Sequence, residues 1–167
     1  MEPRILAKSL DRIVKKHSTH CEAMPGLMGG SKLWQFTTKD AAGFVFMDTG
    51  EETTGIPTVT VALVLDSADE YEREDLLELL YANVALVDAA VCGMPSPIPG
   101  EPDLLLLQQK TRTDNFNPED FPKILDHLMT QRDMLYIMDD EEDEEYSDDE
   151  EEEEDTNEKP WGHHSRK

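Results

Sequence analysis

From Asp139 to Glu158 the sequence reads DDEEDEEYSDDEEEEEDTNE, in which 16 of 20 positions are acidic and only Tyr146, Ser147, Thr156 and Asn157 intervene. Such a block repels itself and offers almost nothing apolar to bury, so it cannot join a packed core. It divides the chain into one folded domain, residues 1–138, and an acidic tail, residues 139–167, expected to be disordered. Of the net charge of -23, the 16 acids and three bases of the tail (Lys159, Arg166, Lys167) account for -13 and leave -10 on the domain. The domain is therefore acidic in its own right.

A domain of this size supports one hydrophobic core. No stretch approaches the roughly 18 uninterrupted apolar residues of a membrane span. The N-terminal MEPRILAKSLDRIVKK mixes charges with apolar residues and lacks the continuous apolar segment of a secretory signal. A cytoplasmic protein with no membrane contact is expected. Cys21 and Cys92 stand far apart with no CxxC, as reduced thiols of a reducing compartment do. Nucleic acid is disfavoured as a partner, because a phosphate backbone needs clustered Lys and Arg and little is visible beyond Arg12, Lys15 and Lys16. Basic or amphipathic protein partners suit an acidic chain better.

Residues 4–17 place Ile5, Leu6, Leu10, Ile13 and Val14 on one side of a helix, with Pro3 suited to its first turn. HSTHCEAMPGLMGGS follows and reads as a loop. LWQFTT (33–38) and GFVFMD (43–48) read as a hairpin, and TVTVALVLD (58–66) as the strongest strand, with Val59, Val61, Leu63 and Leu65 on one face. Ser67 to Glu70 fits a capping box. The helix it opens is expected to run from Asp69 to Val91, with Leu76, Leu77, Leu80, Val84, Val87 and Val91 as a stripe. Leu79, Tyr81 and Leu86 widen that stripe beyond what a one-sided surface helix needs. Such a helix is either sandwiched in its own chain or shared with a second one. GMPSPIPGEP is a proline-rich connection, and DLLLLQQKTR (103–112) is a strand. The last helix starts at Asn117 as N-cap with Pro118 behind it, and Phe121, Ile124, Leu125, Leu128, Leu135 and Tyr136 form its apolar side. With three strands before the second helix and one or two after it, a short one being expected in the proline-rich connection, the order α-β-β-β-α-β-β-α defines an α+β fold, an antiparallel twisted sheet with three helices.

Groupings that carry chemistry are sparse. His17, His20, Cys21 and Glu22 form a small polar cluster, but no second cluster completes a metal-ligand set, and nothing at a recognisable spacing would activate Cys21 as a nucleophile. Gly26 to Gly30 lacks the GK[ST] of a phosphate loop. The acidic run lacks the spacing of a calcium loop, and His163 and His164 are a bare pair. No enzyme, no cofactor and no metal site is expected. The aromatic residues Trp34, Phe36, Phe44 and Phe46 of the hairpin read either as core or as an exposed patch for a partner.

The element order in a small acidic domain is similar to that of the class I chaperones of bacterial type III secretion. The similarity is sharpest in PGEPDLLLLQQKTRTDNFNPEDFPKILDHLMTQRDMLY, where an apolar strand ending in Gln (Leu104 to Gln109) meets a polar turn (Thr111 to Asn117). A final helix then carries Phe121, Leu125 and Leu128. The resemblance covers about residues 3–138. Two departures are visible: the family commonly stops near its last helix, and the connection from Met94 to Pro102 is unusually proline-rich. The resemblance implies a homodimer formed around the second helix, which would assign Leu76, Leu77, Leu80, Val84, Val87 and Val91 to the dimer interface. It implies that the N-terminal segment of an effector protein is held extended around the dimer, by strand addition and by apolar contacts. Ile5, Leu6, Leu10, Trp34, Phe36, Phe44 and Phe46 are the effector-binding candidates. Secretion apparatus components are a further partner class. A rival reading makes the acidic tail the working part, shielding basic proteins.

Overall fold

The computed structural model describes residues 1–26, 31–52 and 55–148, with side chains as far as Ile137. The fold is α+β: three helices and one six-stranded antiparallel sheet. Helix α1 (Pro3–Lys16) leads into β1 (His20–Pro25), β2 (Lys32–Thr37), β3 (Ala42–Asp48) and β4 (Thr58–Ser67). Helix α2 (Arg73–Ala82), β5 (Ala90–Met94), β6 (Leu104–Arg112) and α3 (Phe121–Asp148) complete it. The strands lie in the order β1-β2-β3-β4-β6-β5, so β1 and β5 are the sheet edges.

The strands read at 33–38, 43–48, 58–66 and 103–112 are present as β2, β3, β4 and β6, and the register places residues of one parity in rows across the sheet. Phe36 stands opposite Gly43, Gly43 opposite Leu63, and Leu63 opposite Leu107. On this face α1 and α3 pack. Leu6, Leu10, Ile13 and Val14 of α1 are fully buried, and Phe121 of α3 meets the Phe36 ring edge-on at 5.6 Å. Edge-to-face geometry sets the positive rim of one ring against the negative face of the other. The opposite face carries a smaller cluster made of strand residues alone: Leu33, Phe44, Ala62, Met94 and Leu106.

Two elements differ from expectation. The loop expected after α1 contains a strand: β1 pairs with β2 from His20 opposite Thr37 to Pro25 opposite Lys32. Four strands therefore precede α2, rather than three. Helix α2 is less than half its expected length. Residues 83–89 form turns, and Val91 lies on β5. The start also differs, because Ser67 to Glu70 leads into a 3-10 turn (Ala68–Glu70) and the Asp75 carboxylate accepts from the Glu72 amide at the true start of α2. In β4 the pairing to β6 slips between Val64 and Asp66, so Leu65 is the extra residue of a bulge.

The cap expected at Asn117 is present, but it closes a 3-10 turn (Pro118–Asp120) that leads directly into α3 at Phe121, with Asn117 Oδ1 accepting from the Glu119 amide at 3.1 Å. The helix does not stop at Met138 but continues to Asp148, through the first ten residues of the acidic run. Extending an existing helix needs no new nucleus, and Glu is a good helix former. The rest of the expected tail, 149–167, lies outside the described residues. By compactness the chain divides into Met1–Asp133, which holds the sheet, α1, α2 and the start of α3, and Met134–Lys167.

Gly43 leaves room for the Phe36 ring beside β3. An added Cβ would collide with the carbonyl oxygen of Ala62 and stand 2.8 Å from the Phe36 ring. Gly43→Ala should destabilise the domain by about 1–3 kcal/mol through overpacking, read as a lowered urea midpoint with an unchanged slope.

Candidate functional site

Three surfaces of the Met1–Asp133 unit have the character of binding sites. The first is α2 with the turn after it. No side chain of α2 is buried. Leu77, Leu80 and Tyr81 fall on one side of the helix at a spacing of three and four, and Val84 and Val87 follow in the turn. Their exposures are 37%, 50%, 70%, 93% and 59%, so five large apolar side chains face outward together. Leu76 is half-buried and Val91 is buried in the domain's own core. Of the six interface candidates, four therefore form an exposed set, one lines its edge, and Val91 is corrected to core. Glu74 and Glu78 are exposed beside this apolar surface.

The helix ends at Ala82 because Asn83 turns its amide to β5. Asn83 Nδ2 donates to the Val91 carbonyl at 3.3 Å, and Asn83 Oδ1 accepts from the Val91 amide at 2.6 Å. One side chain thus pairs both backbone groups of Val91 as a strand would. The turn is fixed from its other side by α3: the Val87 amide donates to Gln131 Oε1 at 3.0 Å, and His127 Nε2 lies 2.6 Å from the Val87 carbonyl. A carbonyl only accepts, so Nε2 is the protonated nitrogen of that ring. Asp88 completes the turn with φ 50, a conformation rare outside glycine. The backbone beneath the exposed Val84 and Val87 is thus held rigidly. Between α2 and β5 runs a cleft of about 410 Å³, lined by Leu76, Leu79, Leu80, Met94 and Leu105 among others.

The second surface is a groove of about 750 Å³ beside α1 and the outer part of β1 and β2. Its floor includes Ala7, Ala23, Met24, Leu33 and Trp34, and Arg4, Lys8 and Lys32 stand around it. Among the described residues Asp11 is its single carboxylate. Lys15 Nζ lies 2.8 Å from Asp11 Oδ2, and Trp34 Nε1 donates to Oδ1 at 3.2 Å. The Lys15 contact lowers the Asp11 pKa first, partial burial opposes it, and the Trp34 N–H lowers it further. The third surface is the strand-residue face, where Phe46, Cys92, Met94 and Leu106 line a hollow of about 210 Å³ together with Thr60, Gln108 and Lys110.

The effector-binding candidates separate sharply. Leu6, Leu10, Trp34, Phe36 and Phe44 are at most 3% exposed, so their side chains are committed to the chain's own core rather than to an open patch. Phe46 is half-buried, and Ile5 is exposed at 53%. The sequence did not single out the groove cations Arg4, Lys8 and Lys32. They fall one turn apart on α1 and at the start of β2, and only the docking of α1 on the sheet gathers them.

The polar cluster His17, His20, Cys21 and Glu22 is not brought together. His17 ends α1 and its ring lies 6.4 Å from that of Phe121, while along β1 His20 and Glu22 alternate with Cys21. Among the described residues no group of His, Cys, Asp and Glu could hold a metal ion; His163 and His164 lie outside them. Burial raises the pKa of Cys21, with Asp11 adding to it, and burial raises that of Cys92, so neither is an activated thiolate. Among the described residues no helix is long and apolar enough to cross a membrane. Compared with known proteins, the chain matches no family model and no curated protein.

Asn83→Ala removes both hydrogen bonds to Val91 and leaves buried backbone groups unpaired. It should cost about 1–3 kcal/mol in urea unfolding and raise amide exchange at Val91 first.

Proposed function

We propose that this chain is a non-enzymatic, homodimeric chaperone of the class I secretion type. It holds an extended N-terminal segment of an effector protein soluble and export-competent in the cytoplasm. The observation that carries the reading is α2: a helix with no buried side chain, presenting Leu77, Leu80, Tyr81, Val84 and Val87 from a rigidly tied backbone. Full burial of a Val or Leu is worth about 1.5–3 kcal/mol, and a second copy laid on this face would gain the still-exposed part of that at each of these positions, set against the freedom lost on association. A contiguous apolar patch of this kind on a single domain is a protein-contact surface. Strand addition suits the edge strand β1, since the outer side of β5 is already occupied at Val91 by Asn83, and the groove beside β1 and the cleft beside β5 supply apolar contacts. The sparse catalytic groupings and the acidic exterior fit a binding role. Secretion apparatus components would then receive the loaded complex.

In sedimentation equilibrium at micromolar concentration the wild type should run as a dimer. The double variant Leu80→Asp with Val84→Asp should run as a monomer with an unchanged circular dichroism spectrum. A monomeric wild type overturns the dimer, and with it the main support for this role.

The acidic run supports a second reading, in which residues 139–167 shield basic partner proteins. Truncation after Met138 separates the two. Client retention survives under the chaperone reading, whereas under the tail reading it collapses, and wild-type binding falls steeply with salt.

A further inference from the structure

We infer that the groove between α1 and the edge strand β1 selects an acidic–apolar alternating segment of the bound partner, recognised by Arg4, Lys8 and Lys32. The inference rests on the chaperone reading and gives its client site a chemistry.

The chain is acidic, with 38 Asp and Glu against 15 Lys and Arg, yet three cations meet at this groove. Among the described residues none of the three has an ion-pair or hydrogen-bond partner, in contrast to Arg12, which pairs with Glu119 at 2.9 Å, and Arg112, which pairs with Asp114 at 3.0 Å. The one carboxylate lining the groove among the described residues, Asp11, is already engaged by Lys15 and Trp34. The groove therefore holds uncompensated positive charge beside a low-dielectric floor, where an incoming carboxylate is attracted more strongly than on open surface.

The sheet edge supplies the period. Among the described residues β1 pairs with β2 alone, which leaves the outer side of a six-residue strand without a strand partner there. In the register, Ala23 shares a row with Trp34, on the face where α1 packs, and Lys32 has the same parity as Trp34. Met24 shares a row with Leu33, on the opposite face, where Met24 packs half-buried at the rim of the apolar cluster. A strand added along β1 would send alternate side chains to these two faces. One set meets Arg4 and Lys8, with Lys32 at the sheet end, where it lines both this groove and the hollow beside Asp48 on the other face; the other set meets Met24 and Leu33. Acid on one parity and an aliphatic residue on the other satisfies both.

The chain's own acidic run is a poorer occupant. From Asp139 to Glu158 its only apolar side chain is that of Tyr146, so it would satisfy the cations and leave the Met24 side bare.

The test uses the full-length chain and fluorescein-labelled peptides with a six-residue alternating core, matching the length of β1. The cores are Val-Asp, Val-Asn and Val-Lys, and a fourth peptide is residues 139–158 of this chain. Fluorescence anisotropy should rank Val-Asp above Val-Asn by about tenfold at low salt, as about three partly screened charge contacts provide, with Val-Lys weakest. The variant Arg4→Glu/Lys8→Glu/Lys32→Glu, whose three side chains are all exposed, should fold normally by circular dichroism and prefer Val-Lys over Val-Asp. Lys8→Gln with Lys32→Gln, a milder change, should shrink the preference to about the twofold that Arg4 alone provides. Equal binding of the three cores, no binding of any, or an unchanged preference in the variants overturns the inference. So does the 139–158 peptide binding as tightly as Val-Asp. A charge-blind groove that still binds all cores leaves the chaperone reading intact, whereas a monomeric wild type removes that reading whatever the peptides do.

Discussion

The contact of Phe36 with Phe121 organises the rest of the domain. It ties the start of α3 to the second strand over a glycine, and α1 closes beside it with four fully buried aliphatic side chains. Two helices then occupy the helix-bearing side of the sheet. The third helix is left to make its main packing with β5, the last strand in the sheet order. Its apolar residues stay outside because the core is complete without them, and the exposed apolar surface follows from that arrangement. An interior that is close-packed has no place for a further helix.

What holds α2 where it is comes mainly from polar groups. The Asn83 amide does for Val91 what a neighbouring strand would do, and Gln131 and His127 hold the two backbone groups of Val87. These bonds cost nothing in apolar area, so the Leu and Val side chains above them are left facing outward. The arrangement joins rigidity to apolar exposure, a combination that interfaces use to avoid ordering costs when a partner arrives.

Much of the fold was legible because period-two and helical patterns are local properties. Four strands, α1, and the Asn117–Pro118 start of α3 all show in the side-chain sequence. β1 was not legible: HCEAMP has no apolar alternation and ends in proline, and it is a strand only because β2 offers it an edge. The end of α2 was hidden for the opposite reason. Leu76, Leu80, Val84, Val87 and Val91 keep helical spacing straight through the point where Asn83 reaches a strand eight residues ahead, and that reach is a tertiary contact. The apolar surface was visible as an excess of oily residues in one segment, and four of its named side chains are indeed exposed. The hairpin aromatics were ambiguous in the sequence. Trp34, Phe36 and Phe44 proved to be interior, and Phe46 lies between the two cases. The basic groove left no trace, since Arg4, Lys8 and Lys32 become neighbours only when α1 lies on the sheet.

The extra residue in β4 has its own consequence. Before Leu65 the strand keeps strict parity with β6; after it, Asp66 stands opposite Leu105 and Ser67 opposite Leu104. Because side chains alternate along a ribbon, one inserted position exchanges which flank of the sheet every later residue leaves from. The launch point of the second helix is thus decided by a single count along the fourth strand. A relative lacking that one position would set out toward the other flank, and its oily helix would be presented on a different side of the molecule.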